Sequence, residues 1–170
     1  MKYKENWDET KERFCAWWRR EKMDRPLMKI VARRDSGVGE LKSIRPVKHP
    51  EETYLNVERK VNILENYCKT HVFLAESFPS LSVNIGPGSM AIYLGSEPMF
   101  TQDTVWFKEC IQDTWEQWGQ LKYDPDNHWW KKHIEMVEMA VEMAKDNFLV
   151  DIPDIVENVD ILAAMRGAER

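Results

Sequence analysis

Three short apolar runs constrain this chain more than any other feature: LMKIVA (27–32), LSVNI (81–85) and FLVDI (148–152). Each is shorter than a typical buried helix and is bounded by proline, glycine or charge. A nearly continuous apolar run of this length reads as a strand covered on both faces. Between the runs the period changes. Tyr54, Val57, Val61 and Leu64 keep a helical spacing from about Pro50 to Cys68. Ile134, Val137, Val141 and Ala144 do the same over 126–145, with Asp126 as the cap and those four facing inward. A first helix is expected over 6–22, capped by Asn6 or Asp8, with Phe14, Trp17 and Trp18 near helical spacing; Pro26 stops it. Short helices are expected over 89–94 and over 158–166, the latter capped by Asn158. Residues 35–49 read as a loop, and the aromatic stretch 96–123 has no assignable period. Helix and strand then alternate, which argues for an α/β fold of parallel βαβ units with right-handed crossovers.

With 170 residues, one ordinary domain is expected. The apolar share of 43% and charged share of 31% describe a soluble globular chain. A net charge of −5 argues against a nucleic-acid partner, which wants a basic face. The basic residues of KERFCAWWRREK are balanced by nearby acids and read as a solvated helix face. Cys15, Cys68 and Cys110 are widely spaced and fit no closed disulfide framework, so reduced thiols and a cytoplasmic location are expected. The start has no apolar signal region, and no run approaches the ~18 apolar residues of a membrane span. No membrane partner is expected.

NIGPGSMAIYLG (84–95) breaks the chain sharply after the second run. Gly86 and Gly88 permit positive φ and close backbone approach, Pro87 removes an N–H, and Ser89 is placed to cap the short helix that follows. In parallel α/β folds ligands gather at the carboxyl ends of strands, so Asn84, Gly86, Gly88 and Ser89 are candidate substrate-binding residues. Spacing alone slightly favours a plain strand-to-helix turn. GPGSMA lacks the third glycine of a dinucleotide fingerprint, and no Gly-Lys-Ser/Thr follows for a phosphate loop.

The third run leads into VDIPDIVENVDIL, with Asp151, Asp154, Glu157 and Asp160. Clustered carboxylates at a strand end suit general acid–base work or a cation, and equally suit caps and solvated loops. Asp151 and Asp154 are the candidate catalytic pair, Asp151 first because it interrupts an apolar strand. Arg33 and Arg34, just after the first run, offer forks for a carboxylate or lie as surface charges. His128 and His133, five apart on one helix, do not share a face, and no metal site is assigned.

NWDETKERFCAWWRREKMDRPL, NIGPGSMAIYLGSEPMF with DTVWF, LKYDPDNHWWKKHIEMVEMA and VDIPDIVENVDILAAMRG, in that order, resemble the amino-terminal part of the uroporphyrinogen decarboxylase superfamily, nearest its divergent bacterial branch. The resemblance implies the first part of a (β/α)₈ barrel: about three parallel strands with flanking helices, a helical extension over 1–25, and the first βα units over 26–170. It implies either corrinoid-dependent methyl transfer or decarboxylation of a porphyrinogen-like polycarboxylate. The decarboxylase pattern departs here. Ser82, Asn84 and the GPG loop stand where its aspartate is expected, and Ala163-Ala164 where its tyrosine is expected. Methyl transfer is therefore the leading expectation, with a small-molecule substrate and a corrinoid protein as partners. No cofactor is expected within this chain; zinc and a corrinoid go with a carboxyl-terminal half. Placed on the rim of a barrel, the GPG loop reads as a binding element. A third expectation is an inert half-barrel that works by self-association or with a complementing chain.

Overall fold

The computed structural model describes residues 1–111, 121–151, 153, 155 and 158–167. Among them the elements run α1 (Trp7–Trp18), β1 (Lys29–Arg33), α2 (Glu51–Leu55), α3 (Val57–Thr70), β2 (His71–Ala75), β3 (Ser80–Ser82), α4 (Ser89–Tyr93), β4 (Pro98–Phe100), β5 (Val105–Phe107), α5 (His128–Ala144), β6 (Leu149–Asp151) and α6 (Asn158–Arg166). The class is mixed α/β, with helices, a few short strands and no closed barrel among the described residues. The chain forms two compact units. One comprises Met1–Arg45, Glu58–Leu81 and Val141–Val150; the other comprises Pro46–Val57, Ser82–Ala140 and Asp151–Arg170.

In the first unit β1 pairs antiparallel with β2, Lys29 opposite Ala75 and Arg33 opposite His71. This corrects the expectation that the first run lies in a parallel sheet with the second and third. Two bonds explain the reversal. After β1, the Arg34 N–H donates to Thr70 O at 2.8 Å and the Val38 N–H to Lys69 O at 3.0 Å. The chain leaving β1 is thus tied to the end of α3, where β2 starts. β2 follows α3 directly, with no turn residue between Thr70 and His71 to mark its start in the sequence.

Lys4 and Glu76 hold this pair from one end. The buried Lys4 ammonium donates to Phe73 O at 3.1 Å and to Ala75 O. Glu76, also buried, accepts from both arms of Arg25 at 2.8 and 2.7 Å and from the Met28 N–H at 2.8 Å, and Arg13 Nε stands 2.8 Å away as an ion-pair partner. The Arg25 hydrogen bonds, then the Met28 amide and the charges of Arg25 and Arg13, pull its carboxyl down to about 2 against the opposing effect of burial. A buried carboxylate persists because each oxygen has a partner. β3 pairs with β6, so the second and third expected strands are neighbours; beside them the Leu149 N–H donates to Pro79 O at 3.1 Å.

In the second unit β4 and β5 form an antiparallel hairpin, Pro98 opposite Phe107 and Phe100 opposite Val105. Thr101 closes its tip: its N–H and hydroxyl donate to Thr104 O at 2.9 and 2.7 Å, and its hydroxyl oxygen accepts the Thr104 N–H at 3.1 Å. α5 is capped by Asn127, whose Oδ1 accepts the Trp130 N–H at 2.9 Å. Asp126, the expected cap, instead pairs with Lys131 at 2.6 Å. The same Asn127 amide donates to Ile92 O at 3.1 Å and Tyr93 O at 3.3 Å, satisfying carbonyls at the end of α4. The buried stripe of α5 is His133, Met136, Ala140 and Ala144; Ile134 and Val141, expected inside, are exposed. One polar residue on the core side shifts the whole face.

Candidate functional site

The GPG loop lies within the second unit. β3 ends at Ser82, earlier than expected, and Val83 and Ile85 continue as fully buried residues outside the strand. Asn84 Oδ1 accepts the Gly86 N–H at 3.2 Å, an Asx turn that starts the break. Gly86 has φ +104°, and a Cβ there would stand 2.5 Å from Val105 Cβ. Gly88, at φ +71°, is the N-cap of α4, and its Cβ would meet the Phe107 ring at 3.4 Å. The glycines are thus required where β5 presses on the loop. Ser89 is buried, and its hydroxyl donates to Gly86 O at 2.8 Å. The expectation that Ser89 caps α4 is corrected: its proton points back into the turn, and no side-chain capping bond is formed.

The other candidates disperse. Asp151 is exposed at the end of β6. Asp154, like Glu157, lies outside the described residues. Arg33 and Arg34 belong to the first unit, where Arg33 is exposed and Arg34 Nε donates to His71 O at 2.9 Å. The structure brings together Asn84, Gly86, Gly88 and Ser89.

None of these four residues lines the cavity of about 580 Å³ that lies between α4, the start of α5 and α6. Its walls are Met90, Tyr93, Tyr123, Trp130, Ile161 and Leu162, with Asn158 as a polar group. Below it Ala91, Ile111, Ile161 and Met165 form a buried cluster. Trp130 meets two rings edge-on, Tyr93 at 5.4 Å and 79° and Tyr123 at 5.6 Å and 88°. Such aromatic walls favour flat apolar ligands.

Behind Tyr93 lies His133, buried at the centre of α5. His133 Nε2 stands 2.7 Å from Val83 O. A carbonyl only accepts, so Nε2 carries a proton, and in the neutral ring Nδ1 accepts the Tyr93 hydroxyl proton. Burial pushes the Tyr93 phenol up to about 12. Sequence reasoning missed Tyr93, Trp130 and His133 as a group. The aromatic NHWW (127–130) beside a polar residue at an inward position was the available signal.

Among the described residues no three His, Cys, Asp or Glu side chains converge as metal ligands, so they do not fit a zinc ion. No helix among them is long and apolar enough to cross a membrane. Comparison of the chain with family models, with curated proteins and with solved structures gave no match.

Proposed function

We propose that the chain is the amino-terminal part of a barrel enzyme of the uroporphyrinogen decarboxylase type, that its reaction is methyl transfer of the corrinoid-dependent kind, and that the cavity receives a small, neutral, aromatic methyl donor. The observation that carries this reading is the cavity lining: aromatic and aliphatic walls, the Asn158 amide, and no Lys, Arg or His among the described lining residues. Its volume of about 580 Å³ suits a single substituted ring. A porphyrinogen with several carboxylates would lose hydration there without a cation to replace it, which costs several kcal/mol per ion on the order-of-magnitude scale. That makes decarboxylation the weaker reading. The neighbouring strands β3 and β6 also support a barrel segment, one that begins at β3 with the antiparallel pair β1–β2 preceding it.

Within this reading the chain's own residues bind and orient. Trp130 and Tyr93 hold the ring, Asn158 meets its polar substituent, and His133 fixes Tyr93 through its hydroxyl. No step is assigned through zinc. The test is isothermal titration calorimetry with anisole and with uroporphyrinogen, on the native chain and on Leu162→Trp, which fills the cavity. Heat from anisole that disappears in Leu162→Trp is the expected result. Heat from uroporphyrinogen with none from anisole would overturn the proposal and favour the decarboxylase.

A further inference from the structure

A second cavity, of about 240 Å³, lies in the first unit between residues 2–6 and β2. Its described lining holds three cations, Lys2, Lys4 and Arg34, against one acid, the exposed Glu5. Lys4 is 2% exposed, yet it stands in no ion pair among the described residues, and neither do Lys2 and Arg34. Burial pulls the Lys4 ammonium below its ordinary pKa, with the charges of Glu76 and Glu9 opposing. A buried ammonium without a counter-ion is costly, and an anion in the cavity would relieve that cost.

The edge of β2 decides what kind of ligand fits. The Glu76 N–H donates to Met28 O at 3.1 Å and the Arg34 N–H to Thr70 O at 2.8 Å, so these pairs are bonded across the sheet. Bonded and unbonded pairs alternate, so Phe73, opposite Val31, turns its N–H and C=O to the outer edge. No strand pairs with that edge among the described residues. Its carbonyls are already taken: His71 O by Arg34 Nε, Phe73 O and Ala75 O by Lys4. An added peptide strand would need those carbonyls. Only donors remain: the Phe73 N–H, the third Lys4 proton, the terminal nitrogens of Arg34 and the Lys2 ammonium, none with a hydrogen-bond acceptor among the described residues.

We propose that this cavity binds a small dianion, held by Lys4, Arg34, Lys2 and the Phe73 N–H. Three positive charges against one negative leave two for the ligand to match. The acceptor oxygens of a phosphate group or a short dicarboxylate suit a cradle made of donors. The volume lies below the range that takes drug-sized ligands and limits the ligand to a few heavy atoms. The site is distinct from the aromatic cavity of the second unit and does not depend on what that cavity takes.

Isothermal titration calorimetry and thermal melts at physiological salt test this, with inorganic phosphate in one series and succinate in another. The samples are the native chain, Lys2→Glu, Arg34→Gln and Lys122→Glu. Lys122 is exposed in the second unit and controls for net charge. Near-UV circular dichroism confirms that each is folded. The native chain binds at least one of the two ions with a Kd of about 1 mM or below, and the ion that binds assigns the chemical group. Lys2→Glu and Arg34→Gln each weaken binding about tenfold, the size of a lost charge-assisted contact, and Lys122→Glu leaves it unchanged. Neither heat nor a rise in Tm from either ion up to about 10 mM would overturn the proposal. So would equal weakening by Lys122→Glu, or binding indifferent to Lys2→Glu or to Arg34→Gln.

Discussion

Replacing Gly86 with alanine separates a packed turn from an open ligand cradle. The added Cβ faces two penalties. At φ +104° an L-residue is strained by about 1–2 kcal/mol. It also stands 2.5 Å from Val105 Cβ and 2.7 Å from Val105 Cγ2, inside any real contact distance. Val105 is 2% exposed and sits in the hairpin, so it has little room to retreat, and overpacking of this kind adds about 1–3 kcal/mol. Gly95 supplies the control: its φ is +119°, and its Cβ would meet nothing within 4 Å. Gly95→Ala therefore reports the strain alone. The difference between the variants is expected at about 1–3 kcal/mol, or roughly 2–12 °C in Tm for a chain of this size. Urea unfolding followed by circular dichroism measures it. Equal losses for the two variants would mean that β5 does not press on the loop, and the account of the GPG break would fail.

Two further outcomes are expected. Glu76 has its carboxyl lowered from 4.5 to about 2, so its contribution is complete above pH 4.5 and is lost as pH falls from there toward 2; Glu76→Gln should flatten acid unfolding in that window and cost roughly 2–3 kcal/mol at neutral pH. Tyr93 has its phenol raised from 10 to about 12, so the folded state loses stability as pH climbs from 10 to 12, and Tyr93→Phe should remove that slope from alkaline melts; an unchanged slope would place the phenol in water.

Where the sequence pattern matched the structure, a local rule was enough. The run at 27–32 became β1 and that at 148–152 became β6, shifted by a residue or two, because short apolar runs between breakers have few alternatives. Val57 and Val61 are buried as their spacing requires, and α6 begins at Asn158. Asn56, at ψ 93°, splits the expected long helix into α2 and α3, an extended residue that periodicity does not register. Two failures have longer-range causes. The pairing of β1 with β2 is set by bonds from Arg34 and Val38 to the end of α3, between residues more than thirty apart. The inward face of α5 includes His133, which pattern reading treats as polar and therefore outside; Val83 O and Tyr93 make it an interior residue. The candidate site was legible only in its loop. Asn84 to Ser89 were visible as a break, but the cavity needs Tyr93, Trp130 and Ile161 from separate helices, and no local signal joins them.

Asn127 ties two neighbours with one amide: its oxygen holds the first turn of α5, and its nitrogen holds the last carbonyls of α4. Sliding either helix past the other would break the bonds to Ile92 O and Tyr93 O. The cavity wall built from those two helices therefore behaves as a single jaw. The facing wall is fastened to the same jaw from below, because Ile161 of α6 packs with Ala91 of α4 in the buried cluster.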